Sequence, residues 1–295
     1  MLLIMIIVGL TTIPERLEKQ VIIKCIKSML NQTIPADYIV VNIPEISCKG
    51  VKYDYNAAHE LLKLDKKIII RWGINDEGPI TKILGTLDFI KSKGIINGKI
   101  VLVDDDVEYD KLAIEYLTSQ NYPAVGFAGR QSSIDIVNNK VKDLIYHNEH
   151  SSKIEKINFL ETYASVCYDI NLFNINDMRL WVKQLPPETF YVDDIVIGAW
   201  LWKNNIEPLI IRIPDNLKLY GHNSEDTPQL SSDNLNYRNI KVFSELYSLG
   251  YFQKKSYFNL LLWNLNYYKI IIILVFFVIL LILFYKEKIT HLLNI

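Results

Sequence analysis

Cysteine is scarce in this 295-residue sequence, and its three copies are scattered. Cys25, Cys48 and Cys167 form no C-x-x-C pair and have no histidine at ligand spacing. An odd, dispersed set of this kind excludes a disulfide framework and a cysteine-based zinc site. It is typical of a protein that works in a reducing compartment.

The sequence also lacks an excess of charge of either sign. It has 32 Lys and Arg residues against 33 Asp and Glu residues, for a net charge of −1. Because a dedicated nucleic-acid binder carries a basic surplus, we expect no nucleic-acid partner. Internal repeats and Gly- or Pro-rich linkers are absent as well, so we expect residues 1–255 to form one globular domain.

The N-terminal segment MLLIMIIVGL lacks the features of a signal peptide. No basic residue precedes its short apolar run, and TTIPERL follows it instead of a small-residue cleavage site. We interpret the segment as a buried first strand. This interpretation places the folded domain in the cytoplasm.

The longest apolar run lies near the C-terminus. Between Lys269 and Lys286 the sequence carries no charge and is almost entirely apolar. About 20 apolar residues in a helix cross a bilayer, and tyrosines and lysines at both ends suit its interfaces. We therefore predict a transmembrane helix over residues 267–286, between a juxtamembrane segment, 256–266, and a short tail, 287–295. The protein is expected in a membrane, as a single-pass chain with a C-terminal anchor.

Residues 1–215 alternate short β-branched runs with amphipathic stretches. The pattern predicts strands at 2–8, 38–42, 67–72, 99–103, 124–128, 164–168 and 208–213, and a hairpin of 134–137 with 141–145. It predicts helices at 16–30, 56–64, 80–91, 111–119, 176–183 and 194–204, the first begun by a capping box of Thr12 and Glu15. Strand–helix alternation indicates an α/β fold with a mainly parallel sheet flanked by helices. Ligands bind such sheets at the carboxyl ends of the strands. The polar stretch 214–236 is expected to be a loop.

Three consecutive carboxylates follow the predicted strand 99–103, in the sequence KIVLVDDDVEY. Asp104 and Asp106 are two residues apart, so both point to one side of an extended chain and can share Mg²⁺ or Mn²⁺. The alternative is that these acids cap a helix or lie in solvated turns. Two other metal-binding motifs do not match this segment. An EF-hand loop would need glycine where Tyr109 stands, and the D-x-D-x-T/V motif of a phosphatase would need Thr or Val where Glu108 stands.

Five segments in order resemble the GT-A glycosyltransferases, and more narrowly a family-2-like group of microbes and large DNA viruses. These segments are GLTTIPERL (9–17), LNQTIPADYIVVNIP (30–44), GPITKILGTL (78–87), VDDDVEY (103–109) and FYVDDIVIGAWL (190–201). The resemblance implies a GT-A (Rossmann-like) fold and transfer of a sugar from a nucleotide-sugar donor to a glycan, lipid or protein acceptor.

The resemblance also implies roles for individual residues. Asp104 and Asp106 would hold Mn²⁺ or Mg²⁺ on the donor's diphosphate, with His222 completing the metal site, and Asp105 would face the ribose or base. The loop after the first strand and the turn after the third would meet the nucleotide. The donor-binding set is Thr11, Thr12, Pro14, Arg16, Asp76, Lys82 and Asp105. The alternative for Arg16 is a solvated position on a helix.

Asp193 and Asp194 resemble the second acidic motif of the family, in which one carboxylate is the general base of an inverting transfer. We favour Asp194 as the base; the alternative is that these acids cap the helix that follows.

The sequence departs from the family at ETYASVCYDINLF, which has no glycine in the region where related enzymes meet the acceptor. Two other functions stay open: a non-catalytic sugar-binding or scaffold protein of the same fold, and a metal-dependent phosphohydrolase or nucleotidyltransferase.

Overall fold

The computed structural model of the chain describes residues 4–135, 137–148, 150, 156–213, 220–222 and 235–253. Contacts group Met1–Phe252 into one compact unit and Gln253–Ile295 into a second. The predicted juxtamembrane segment, transmembrane helix and tail, residues 256–295, lie outside the described residues. Among the helices of the described part, none has the length and apolar character needed to cross a bilayer.

The described residues form a mixed α/β fold built on a seven-stranded, mainly parallel sheet with the order β11-β6-β10-β4-β1-β2-β3. Strands β1, β2, β3 and β4 run parallel, as do β6 and β11, while β10 is antiparallel to both of its neighbours. Smaller sheets pair β5 with β12, and β7 with β8 and β9. The strands are β1 Met5–Thr11, β2 Tyr38–Pro44, β3 Ile68–Ile74, β4 Gly98–Leu102, β5 Val107–Tyr109, β6 Ala124–Gly126, β7 Ala128–Asp135, β8 Lys140–Asn148, β9 Phe159–Leu160, β10 Val166–Asp169, β11 Leu209–Ile210 and β12 Tyr220–His222.

Helices cover both faces of the large sheet, as the near-continuous apolar strands predict. Along β1, Ile7 packs into one apolar cluster, whereas Ile6 and Val8 pack into the other. Residues of α4, α6, α7 and α8 belong to the first cluster, and residues of α1, α2, α3 and α5 belong to the second. The helices are α1 Pro14–Glu18, α2 Ile22–Leu30, α3 Tyr55–Glu60, α4 Thr81–Ser92, α5 Ala113–Thr118, α6 Ile175–Val182, α7 Asp193–Lys203 and α8 Leu235–Ser248.

Several predicted elements differ from the observed ones. The stretch 16–30 forms two helices instead of one, because the chain turns at Gln20, which has a φ of 58°. The capping box is wrong: Ile13 is the N-cap of α1, and no side chain caps that helix. The predicted strand 164–168 begins later, at Val166, after a 3₁₀ turn over Thr162–Ala164. The described part of the polar stretch 214–236 includes β12, which the loop prediction missed.

Candidate functional site

The carboxyl ends of β1 and β4 bring the TTIP segment and the triple acid together. The two strands pair in parallel, with Gly9 opposite Leu102, so the chain leaves both strands at the same edge of the sheet. There the Thr12 hydroxyl donates to Asp105 Oδ2 at 2.5 Å. This contact explains why Thr12 does not cap α1: its hydroxyl is used to hold the acidic segment.

Arg16 ties the same two segments together by charge. Its guanidinium, on α1, lies 2.6 Å from Asp105 Oδ1 and 2.7 Å from Asp106 Oδ2. The residue is buried, which excludes a solvated position on the helix. Burial raises the pKa of Asp105 to about 6, although the Arg16 charge and the Thr12 hydroxyl act in the opposite direction. Both Asp105 oxygens have partners within the protein, Thr12 on one and Arg16 on the other. That Asp105 faces the ribose or base stays a prediction.

Helix α4 carries Lys82 to this edge because α4 packs unusually close to the sheet. A Cβ on Gly85 would overlap the side chain of Asn42, a fully buried residue of β2. The Asn42 amide donates to Leu10 O and to Lys82 O, both at 3.2 Å. These bonds fix the first turn of α4 against β1. Asn42 was not predicted from the sequence, although it positions Lys82 in the site. The feature that marks it in the sequence is a polar side chain within an otherwise apolar strand.

Lys82 connects the two acidic motifs. Its ammonium is buried and forms ion pairs with Asp104 Oδ1 and, at 3.0 Å, with Asp193 Oδ2. Burial opposes the charged form of Lys82, but Asp104, Asp193 and Asp194 outweigh it and raise the pKa above its ordinary value. Lys82 lies in the first turn of α4, as predicted, and its partners there are carboxylates of the protein.

Asp194 differs from its neighbour Asp193 in exposure and in contacts. Asp193 is 8% exposed, whereas Asp194 is partly open to solvent. Asp194 Oδ1 accepts from the backbone amide of Thr162 at 3.0 Å, and its Oδ2 has no hydrogen-bond partner in the described residues. Although part of the residue is open to solvent, protein atoms surround its carboxyl group; this desolvation and repulsion from Asp193 raise the pKa of Asp194 well above its usual value. Neither acid caps α7 through its side chain, so the helix-cap alternative is wrong.

His222 reaches the acidic segment through the backbone. Strand β12 pairs with β5 so that His222 lies opposite Val107, the residue after Asp106. In the sequence, only the family resemblance suggested that His222 lies near Asp104 and Asp106. The pairing of β12 with β5 brings the His222 backbone next to this acidic segment.

The remaining candidate residues have other partners. The Thr11 hydroxyl donates to Asn42 O at 2.8 Å, and Pro14 is buried at the first position of α1. Asp76 accepts from the amides of Cys48 and Gly78, at 2.6 and 2.8 Å, and thereby joins two loops after β2 and β3. These three residues shape the loops at the carboxyl edge of the sheet.

Two further residues of the site have no signal in the sequence. Thr162 donates its hydroxyl to Asp104 Oδ1 at 3.2 Å. The Tyr109 hydroxyl accepts from the Asp104 amide and donates to Tyr163 O, both at 3.0 Å. Their contacts arise from the fold of the turn after β9 and of β5, which the spacing of residues does not reveal.

The acidic segment offers carboxylate oxygens of the kind that bind a divalent cation. Four carboxylates (Asp104, Asp105, Asp106 and Asp193) form ion pairs with only two cations (Arg16 and Lys82), so acidic groups outnumber basic ones in the cluster. Asp104 and Asp106 each keep one oxygen without a hydrogen-bond partner in the described residues. Within the part of the chain that the structure describes, no three His, Cys, Asp or Glu side chains are grouped so that they could hold a metal ion, so Asp104 and Asp106 belong to no such group. Mg²⁺ commonly binds through one or two carboxylates, waters and substrate phosphates, so a full protein cage is not required.

Comparisons with known proteins do not assign the chain to a family. No protein-family model and no curated protein matches it. Among solved structures, a 4-diphosphocytidyl-2C-methyl-D-erythritol synthase is 12% identical and covers 82% of this chain and 100% of its own, with a TM-score of 0.45. Residues 1–349 of S. aureus TarS are 14% identical over 74% of this chain and 60% of that one, with a TM-score of 0.47. A nucleoside-diphosphate-sugar pyrophosphorylase from Vibrio cholerae RC9 is 10% identical over 71% and 92%, with a TM-score of 0.43.

Proposed function

We propose that this chain is a metal-dependent glycosyltransferase of the GT-A type, which transfers a sugar from a nucleotide-sugar donor to an acceptor hydroxyl with inversion. One observation carries the proposal: a single buried ammonium, Lys82 Nζ, contacts both Asp104 and Asp193. Two acidic segments about ninety residues apart in sequence therefore form one site. Sugar transfer needs such a pairing, with a group for the leaving diphosphate on one side and a base for the acceptor on the other.

The donor half of the site is proposed to lie at the triple acid. Asp104 and Asp106 would hold Mn²⁺ or Mg²⁺ through their free oxygens, with His222 beside them. The metal would offset the charge that develops on the departing nucleoside diphosphate. The net negative charge of the cluster supports a dication at this position, because the two protein cations leave it incompletely neutralised.

The nucleotide is proposed to lie over the loop 11–16 and the turn at Asp76. Arg16 acts on the donor indirectly, since its guanidinium holds Asp105 and Asp106 in place. Lys82 likewise acts through the carboxylates that it joins, Asp104 and Asp193.

The acceptor half is proposed to lie at Asp194. Its free Oδ2 takes the proton of the acceptor hydroxyl as the acceptor oxygen bonds to the sugar's anomeric carbon. The bond from that carbon to the diphosphate oxygen breaks, and the diphosphate leaves with the electron pair. A raised pKa makes Asp194 a stronger base than an ordinary carboxylate, as this step requires.

A panel of UDP- and GDP-sugars with Mn²⁺ tests the proposal. We expect release of the nucleoside diphosphate and transfer of the sugar, both abolished by EDTA and by the double variant Asp104→Ala, Asp106→Ala. Glu108→Ala is the matched control, because Glu108 is an exposed acid close to the same cluster. Release of phosphate or pyrophosphate without sugar transfer would favour the phosphohydrolase or nucleotidyltransferase. Glycan binding that persists in EDTA without turnover would favour the non-catalytic sugar-binding protein.

Membrane attachment through residues 267–286 is a separate proposal, with a glycan, lipid or protein acceptor reached from the cytoplasmic side. It rests on the apolar sequence between Lys269 and Lys286. The full chain is expected to pellet with membranes and a chain ending at residue 255 to stay in the supernatant. Equal fractionation of the two would refute the anchor.

A further inference from the structure

The turn between β9 and β10 delivers Thr162 into the acidic cluster. The turn spans Thr162–Ala164 and is closed by the Ser165 amide, which donates to Thr162 O at 2.9 Å. Ser165 itself has a φ of 73°, a conformation that L-residues rarely adopt. The backbone thus takes a glycine-like shape in the segment that lacks glycine, and Thr162 is left 1% exposed.

Thr162 contacts one oxygen of each functional acid. Its backbone amide donates to Asp194 Oδ1 at 3.0 Å, and its hydroxyl donates to Asp104 Oδ1 at 3.2 Å. The same hydroxyl accepts from Lys82 Nζ at 2.8 Å, so the direction of its own donated bond is fixed. In the described residues, the second oxygen of each acid has no hydrogen-bond partner.

We propose that Thr162 is a positioning residue that orients Asp104 and Asp194 together, leaving each carboxylate one free oxygen. This inference rests on the proposed function, in which Asp104 binds the metal and Asp194 accepts the acceptor's proton. One residue then sets the geometry of both halves of the site, through two different groups. Residues that hydrogen-bond a metal ligand typically change metal affinity by about 10- to 100-fold when replaced.

The two groups of Thr162 can be separated by substitution. Thr162→Val keeps the shape and the backbone amide but removes the hydroxyl, so it breaks the bonds to Asp104 and Lys82 and keeps the bond to Asp194. Thr162→Ser keeps the hydroxyl and the amide, and serves as the conservative variant. A structural role of the side-chain methyl group would make the serine variant fail as well.

Titration of the full chain with Mn²⁺ alone, monitored by electron paramagnetic resonance, measures the effect of the Thr162 hydroxyl on Mn²⁺ affinity without turnover. We expect Thr162→Val to weaken Mn²⁺ binding by about tenfold or more, and Thr162→Ser to stay within about threefold of the wild type. Thermal unfolding of each variant shows that it is folded. With a nucleotide-sugar donor, we also expect the valine variant to have a lower kcat than the wild type and an unchanged KM for the acceptor.

Three results would overturn the inference: equal Mn²⁺ affinity of Thr162→Val and wild type, equal loss in the serine and valine variants, or no Mn²⁺ binding by the wild type. Failure of the proposed function looks different. In that case the wild type binds Mn²⁺ and the valine variant binds it more weakly, but no sugar is transferred from any donor.

Discussion

Replacing Lys82 with methionine removes the buried ammonium that contacts both acidic segments. Methionine has nearly the same length and fills the same space, so the change is one of charge. Asp104 and Asp193 then lose an ion-pair partner while they remain close to Asp194, Asp105 and Asp106. Breaking a buried ion pair by removing one partner costs about 3–5 kcal/mol. We expect the free energy of unfolding to fall by that amount at pH 7.5, measured by urea unfolding with tryptophan fluorescence.

The loss should depend on pH and on metal. In the wild type the pKa of Lys82 is raised above its unfolded value, so its contribution is fully present below roughly pH 10 and constant between pH 5 and 8. Without Lys82, the raised pKa of Asp194 rises further, and protonation at lower pH relieves the repulsion. The deficit should therefore shrink toward pH 5. Mn²⁺ should shrink it too, because a dication replaces the missing charge.

Lys99→Met is the matched control. The Lys99 ammonium lies 2.8 Å from Asp169, whose side chain is 39% exposed. An ion pair with one solvated partner contributes about 0–1 kcal/mol. If Lys82→Met costs no more than Lys99→Met, or if its deficit is the same with and without Mn²⁺, the account of Lys82 as the link between the two motifs is refuted.

Three further predictions concern the acids and the strained turn. Asp194→Asn should lower transfer by about 10²- to 10⁴-fold and keep Mn²⁺ binding. The pKa of Asp194 is raised in the folded protein, so the wild type loses stability as the pH rises through that pKa, and the asparagine variant does not. Thermal unfolding should therefore show the variant to be more stable than the wild type at pH 7. Ser165→Gly should raise the free energy of unfolding by about 1 kcal/mol, since relief of a positive φ exceeds the entropy cost of glycine; an unchanged melting temperature would contradict this. Mn²⁺ at ten times its Kd should stabilise the wild type by about 1.4 kcal/mol, and the double variant Asp104→Ala, Asp106→Ala should show no such shift in melting temperature.

The central sheet could be predicted from the sequence because its strands are fully buried. The segments 38–42 and 99–103 are almost continuous apolar runs, and both coincide closely with β2 and β4. Parallel pairing followed from the intervening helices. The reversed direction of β10 could not be predicted, since strand direction depends on a connection that passes through the small sheet of β7, β8 and β9.

The positions of the acids were predictable, but their partners were not. A triple aspartate after a buried strand has few structural explanations, so Asp104, Asp105 and Asp106 stand out in the sequence. That Arg16 and Lys82 meet carboxylates follows from the close packing of α4 through Gly85 and from the register of β1 and β4. Such packing depends on distances in three dimensions, which spacing along the chain does not encode.

Local capping rules failed where the site competes for the same side chain. Thr12 matches a capping box with Glu15, yet its hydroxyl donates to Asp105. Asp194 matches a helix N-cap, yet its carboxylate accepts from Thr162. In both cases a long-range contact in the site takes the hydrogen bond that the local motif would have made.

The most direct test of the central claim is an anomalous-diffraction map of crystals grown with Mn²⁺ and UDP. If the two acidic segments form one metal-dependent transfer site, a Mn²⁺ peak lies about 2 Å from oxygens of Asp104 and Asp106. The diphosphate is then expected on the same ion, with the Asp194 carboxylate beside it. A map without a peak at these carboxylates, or with the nucleotide bound elsewhere, would contradict the account.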